Sequence, residues 1–390
     1  MKLTDVKDLT QKAIAQIMGG EYMTKVGDIS ALDDYKLVDV GRDVLDSGSV
    51  EPFTKTLISL IYKMEIISDR YVKRLKGLFV NSAEWGGYLE RVYFDLCDVL
   101  DDSMYNLVNG QDYSNVEHKF YKPKTSAKIY EEGKAIMIPI SIATDQLKEA
   151  FNGWDNLNKY LSGIRQMVRN TLEITLDAYA HMLVSCGIAI SDKATNNAVH
   201  LMAEAKANGI IAAETTVDDA LHNKDFLTYC VKRMNDVRAY MQTLNETFNN
   251  GSIPTTASDT NMIVLHDFAS AIDYFVKPTN YMQNISLGEF ETVVCWQGNK
   301  STSNSFKFSD LSKIMISADA DNKLGIGTEA VTIENAVALI HDTRALGISP
   351  YKEKLTSSYT ASADFWNEFL HVLVNYIIDA NLSMVAFILD

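Results

Sequence analysis

Few residues in this chain have the types and spacing that chemistry needs. His341-Asp342-Thr343-Arg344 sets an imidazole beside a carboxylate and a guanidinium, the parts of an acid/base pair. The same four residues fit a strand end followed by a surface ion pair, and that is the expectation adopted. Asp319-Ala320-Asp321-Asn322-Lys323 opens like a calcium loop. Lys323, Leu324 and Ala330 then stand where an oxygen donor, a glycine and a bidentate carboxylate belong, so a solvated acidic turn is expected. Gly325-Ile326-Gly327 lacks the third glycine of a dinucleotide loop and follows no clear strand. The histidines (His118, His181, His200, His222, His266, His341 and His371) show no metal-ligand spacing. Cys97, Cys186, Cys230 and Cys295 form no C-x-x-C pair and sit among apolar neighbours, which predicts reduced, buried thiols. G-x-x-x-x-G-K-[ST], H-E-x-x-H and G-x-S-x-G are all missing. The expectation is a protein that is not an enzyme, with no cofactor and no metal.

One run suits contact rather than catalysis. Lys119, Lys122, Lys124, Lys128 and Lys134 alternate with Tyr121 and Tyr130. A single-stranded nucleic acid could stack on such a surface. The formal net charge of −15 argues against that, because gripping phosphate needs a cationic protein. A basic arm docking on an acidic neighbour fits better. These seven residues are the candidate inter-subunit contacts.

The elements around them follow from periodicity. The chain has 390 residues, 47% of them hydrophobic and 22% charged, enough for a large core in two or three domains. Residues 1–50 read as an extended or loosely helical arm. Leu57, Ile61, Met64, Ile67 and Tyr71 predict a helix over 53–79, and a second helix is expected from Ser82 through Val92. The polar section 101–134 reads as a two-stranded arm, Lys-rich and β-patterned from 119 onward. Ile136, Ile138, Ile140 and Ile142 then alternate along one face of a strand, and Pro139 places it at a sheet edge. A long helix is predicted over 157–186, with a buried stripe from Leu157 to Cys186. Lys159, Arg165, Arg169, Glu173 and Asp177 lie on its opposite face, and Gly187 is its stop. A helix over 225–248 follows. Strands are expected at 262–265, 292–297, 306–308, 313–317 and 337–340, with a short helix at 268–275. The last thirty residues are rich in aromatic and β-branched types. Asn375, Asp379 and Asn381 break the apolar run 372–389, so no membrane span is expected there, and residues 1–21 lack the apolar run of a signal peptide.

Four runs carry a resemblance. Glu84-Trp85-Gly86-Gly87 is similar to an early motif of short-tailed phage capsid proteins. Ile138-Pro139-Ile140-Ser141, with Asp145-Gln146-Leu147 and Phe151, is similar to the exit from their extended loop. Residues 248–259 resemble an axial-domain entry and 365–389 the closing strands. The order of parts resembles the major capsid protein of tailed bacteriophages with the Hong Kong-type capsid fold. That resemblance implies an α+β fold: an N-terminal arm and helical region (1–100), an E-loop (101–142), a peripheral domain with a spine helix (143–200), an axial domain with peripheral-domain strands (201–345) and a C-terminal β segment (346–390). It implies self-assembly into hexamers and pentamers of an icosahedral shell around double-stranded DNA, which touches the protein only by weak non-specific proximity. Scaffolding, portal and decoration proteins are implied partners, the virion capsid is the implied location, and the host cytoplasm the site of assembly. A bacterial nanocompartment shell of the same fold is the alternative, and a cytosolic enzyme without a recognisable motif is the more distant one.

Overall fold

The computed structural model describes residues 8, 10–16, 18, 34–46, 75–79, 89–94, 122, 125–130, 133–244, 246–249, 257–276, 287–297, 308–318, 320–322, 324–360, 362 and 365–390. The motif 84–87, Cys97, His118 and most of the helix expected over 53–79 lie outside the described residues; Lys76–Leu78 is a short 3-10 turn.

The alternating isoleucines do what their spacing dictates. Strand β3 (Gly133–Ala143) buries Ile136, Ile138, Ile140 and Ile142 and exposes the residues between them. Among the described residues it is an edge strand, paired only with β11 (Phe365–Ile378), which pairs in turn with β10 (Leu346–Thr360) in an all-antiparallel sheet. At the edge Pro139, opposite Phe369, leaves no ladder bond unmade. Pro350 sits on the other edge strand, at a break in register. A second sheet has the order β4 (Ala198–His200), β12 (Met384–Ile388), β9 (Ala336–Asp342), β5 (Thr260–Leu265) and β6 (Glu291–Val293). Every residue of its central strands β9 and β12 is buried, which is why 336–340 and 384–388 read as continuous apolar runs. β7 (Ile314–Ile316) and β8 (Val331–Ile333) form a small ribbon.

Between β3 and these strands lie α2 (Thr144–Ala150) and the 36-residue α3 (Trp154–Ala189). At 1.5 Å per residue α3 spans roughly 54 Å. It packs against strands of both sheets. The predicted stripe holds from Leu157 to Leu172, then passes through Leu176, Ala180 and Val184. Arg165 and Asp177, expected on the solvent face, are buried, because a helix lying against two sheets is covered on more than one side. Gly187 is not the stop. A Cβ there would lie 3.1 Å from Leu346 Cδ1 and 3.3 Å from Leu339 Cδ2, so glycine lets the helix settle onto both sheets. The helix ends later, in a π-helical turn over Ile190–Ala194 closed by Thr195 N donating to Ile190 O at 3.0 Å. By length and composition the stretch 154–194 passes for a membrane span; most of its apolar window is buried inside the protein. Ahead of it, α1 (Asp34–Asp46) lies on Phe151, which leaves no room for a Cβ at Gly41.

The remaining helices surround the second sheet. They are α4 (Leu201–Ala207), α5 (Val217–Leu221), α6 (Lys224–Met241), α7 (Glu246–Asn249), α8 (His266–Phe275) and α9 (Phe308–Leu311). Asn223 caps α6, accepting from the Asp225 and Phe226 amides. α6 stops at Met241 rather than at 248, leaving Leu244 exposed. Phe308, expected in a strand, begins α9. The expected strand over 292–297 is limited to β6, while the expectations at 262–265, 268–275, 313–317 and 337–340 correspond to β5, α8, β7 and β9.

Candidate assembly surface

Residues 89–92, expected in a helix, belong instead to strand β1 (Leu89–Phe94). It pairs antiparallel with β2 (Thr125–Tyr130), from Leu89 opposite Tyr130 to Phe94 opposite Thr125. The arm expected within 101–134 with a return strand at 135–142 is not what forms among the described residues: β2 takes its partner from upstream in β1, and β3 turns away to β11, because cross-strand partners far apart in sequence win over the adjacent one. Gly86-Gly87 just before β1 removes helix propensity, and cross-strand pairing decides the outcome.

The root of this ribbon is a buried charged node. Asp379, at the end of β11, has no exposed surface. It accepts from Arg91 Nη1 at 3.0 Å and from the Tyr93 hydroxyl, both on β1, and from the Asn381 amide at 3.1 Å. The same Arg91 Nη1 donates to the Arg344 carbonyl at 2.6 Å. One turn away, buried Asp342 accepts from Arg344 N, Nε and Nη2 at 2.8, 2.9 and 2.7 Å. The hydrogen bonds and charge of Asp342 outweigh burial and push the Arg344 guanidinium above its ordinary range. The Thr343 amide donates to the Asp259 carbonyl at 2.7 Å. Arg91 and Tyr93 thus tie the ribbon to Asp379 and to the Arg344 carbonyl, while Asp342 and Arg344 pair within the turn that joins the two sheets. Charge-assisted bonds of this kind fix an angle as well as a position.

His341-Asp342-Thr343-Arg344 is accordingly a strand end with an ion pair, as expected, but its carboxylate is buried rather than at the surface. His341 is fully buried with Nδ1 on the Asp342 carbonyl at 2.8 Å, so the imidazole faces no solvent. Asp321 and Asn322 lie in an exposed turn, where Asn322 Oδ1 accepts from the Gly327 amide at 2.8 Å; Asp319 and Lys323 lie outside the described residues. Gly325 and Gly327 have φ of 72° and 105°, the conformation of a tight turn. No group of metal-ligating side chains occurs among the described residues.

Of the seven candidate contact residues, Lys119, Tyr121 and Lys124 lie outside the described residues. Lys122 and Lys128 are exposed. Lys128 stands directly opposite Arg91 in the ribbon, an arrangement tolerable because Asp379 neutralises Arg91. Tyr130 closes β2. Lys134 is exposed but lies in β3, with Nζ 5.0 Å above the ring of Tyr179 on α3; Tyr179 meets Tyr376 edge-on at 5.6 Å. The structure therefore divides the lysines between the ribbon and the body. Sequence reasoning missed Arg91, Tyr93 and Asp379. The one visible trace was an aspartate interrupting an apolar run.

The model of the Phi29-like phage major capsid protein family matches residues 12–388. The chain belongs to that family. As a phage major capsid protein it is a structural component of the virion, located in the capsid, and it assembles with further copies of itself into a shell. Its fold is the α+β capsid fold that the order of parts implied. It is similar to a chain in the capsid structure of Staphylococcus phage Andhra, with a TM-score of 0.53 and 13% identity over 84% of this chain and 87% of that one. It is equally similar to a chain in a structure of the head fiber and inner core protein of native bacteriophage P68, with a TM-score of 0.53 and 10% identity over the same shares. No curated protein matches. The phage family match favours the virion shell over the nanocompartment shell.

Proposed function

We propose that this chain forms hexamers and pentamers of an icosahedral shell that encloses double-stranded phage DNA, with the β1–β2 ribbon as the root of the E-loop that reaches a neighbouring copy. α3 is the spine helix of a peripheral domain, the sheet built on β9 and β12 with its helices is the axial domain, and the shell assembles in the host cytoplasm. Scaffolding, portal and decoration proteins are the further partners, and the protein performs no catalysis.

The anchored ribbon is the observation that carries this reading. A short two-stranded ribbon has little stability by itself. Here a charged node fixes its base while Lys122 and Lys128 stay exposed. The chain between its strands, residues 95–124, holds Lys119, Tyr121 and Lys124. An arm that buries its surface against a neighbouring copy contributes its contacts only in the assembled shell. Head-to-tail contacts repeated by rotation close into rings. The acidic balance of the chain suits a lumenal wall that repels packaged DNA.

Replacing residues 95–124 by an Asn-Gly turn keeps Phe94 and Thr125 paired and removes only the reach of the arm. The variant should be soluble, keep a cooperative thermal transition and form no closed shells by electron microscopy. Normal shells from this variant would show that the arm is not the connector.

A further inference from the structure

The solvent side of α3 carries a stripe without charge. Gly163, Met167, Thr171, Ile174, Ala178 and Met182 recur every three or four residues, and all are exposed. Met167, Ile174 and Met182 are 53%, 52% and 46% exposed. The Thr171 hydroxyl donates back to the Met167 carbonyl at 2.7 Å, so the one hydroxyl of the stripe has its proton engaged within the helix. A Cβ on Gly163 would meet nothing within 4 Å. The stripe runs for roughly 28 Å along a helix whose other sides are largely buried.

Residues 47–74 lie outside the described residues, and the chain on either side of them is fastened at opposite ends of this helix. Upstream, α1 presses Gly41 onto Phe151, just ahead of the start of α3; a Cβ there would lie 2.7 Å from Phe151 Cγ. Downstream, Leu75 and Leu78 are fully buried and Phe79 bridges Ile348, next but one to the Leu346 side chain that meets Gly187. Between Trp154 and Gly187 the helix rises about 50 Å. The 28 residues of 47–74 have to cover about that span. A hairpin of two short helices falls well short of it. One helix over 53–74 covers about 33 Å, and 47–52 in extended form adds about 20 Å. In such a helix Leu57, Ile61, Met64, Ile67 and Tyr71 share one apolar face about 21 Å long. Met167 to Met182 on α3 measures about 22 Å.

We propose that residues 53–74 pack as a helix along the exposed stripe of α3 in the same copy and parallel to it, with Leu57, Met64 and Tyr71 against Met167, Ile174 and Met182. The two fixed ends set the direction. They also hold the segment beside the stripe at an effective concentration that a second copy does not match. The contact lies within one copy and does not depend on shell formation. It removes this face of the long helix from the surfaces open to neighbours.

The test uses the full chain before assembly. Met64→Cys with Ile174→Cys should form a disulfide within one copy after mild oxidation, seen as a monomer band of altered mobility on a non-reducing gel and independent of protein concentration. Leu57→Cys with Met167→Cys should do the same. Wild type, each single variant, and Leu57→Cys with Met182→Cys should not. Ile174→Asp should lower the melting temperature and speed tryptic cleavage after Lys63 and Arg70 at least tenfold, whereas a stripe open to water would tolerate the aspartate. Linked dimers in place of the monomer band would show that a second copy covers the stripe, and a link between positions 57 and 182 would show that the segment runs the other way. Either result overturns the contact, as does the absence of any link within a copy or an Ile174→Asp variant that melts and is cleaved like wild type.

Discussion

Asp379 shows how a single residue can set the direction of a larger part. Its carboxylate is buried at a cost that Arg91, Tyr93 and the Asn381 amide offset. Asp379→Asn keeps the shape and removes the charge, leaving Arg91 without its counter-ion. The expected loss is about 3 kcal/mol, seen as a lower midpoint in denaturant with an unchanged slope. His341 makes the opposite kind of prediction. Burial holds its pKa below the ordinary range, although the Asp342 carbonyl and charge pull upwards. The unfolded chain takes up a proton near pH 6.5, whereas the folded chain resists it. Stability is therefore complete above that pH and falls as pH drops below it. Melting temperatures measured from pH 7.5 to 5.5 should decline, and His341→Gln should flatten the decline. Asp379 was legible as an oddity in an apolar run, yet its partner Arg91 lies 288 positions away, a distance over which a single sequence gives no pairing.

At the scale of elements, period and length decided what could be read. The alternation through Ile136–Ile142 exposed both the strand and its buried face, and the 3.6-residue repeat exposed most of α3. The six residues of β1 were too few to show a period, and their mixed composition passed for a helix. Gly187 misled because glycine serves two purposes. It ends helices, and it also admits close neighbours; here Leu346 and Leu339 are those neighbours. Gly187→Leu would gain helix propensity but drive a side chain into both sheets. Overpacking of this sort should cost about 1–3 kcal/mol net, measurable as a lower midpoint in denaturant. The pairing of β11 with β3 was invisible for the same reason as the Asp379 node: nothing local in either strand names the other.

For the molecule as a whole, the order of parts was legible and the way they are fastened together was not. The predicted α+β plan and its family both hold, yet the ribbon strand β2 pairs upstream and the two larger sheets share one helix. Hydrogen exchange should separate the levels of fastening. Amides of α3 and β9 should exchange only with global unfolding, and those of β1 and β2 many-fold faster in the unassembled protein. The common helix has a mechanical consequence. A strut of roughly 54 Å bearing on both sheets couples them, so a load applied to one is passed to the other. A shell built of such units yields first at the seams between copies, and its fragments should be intact subunits.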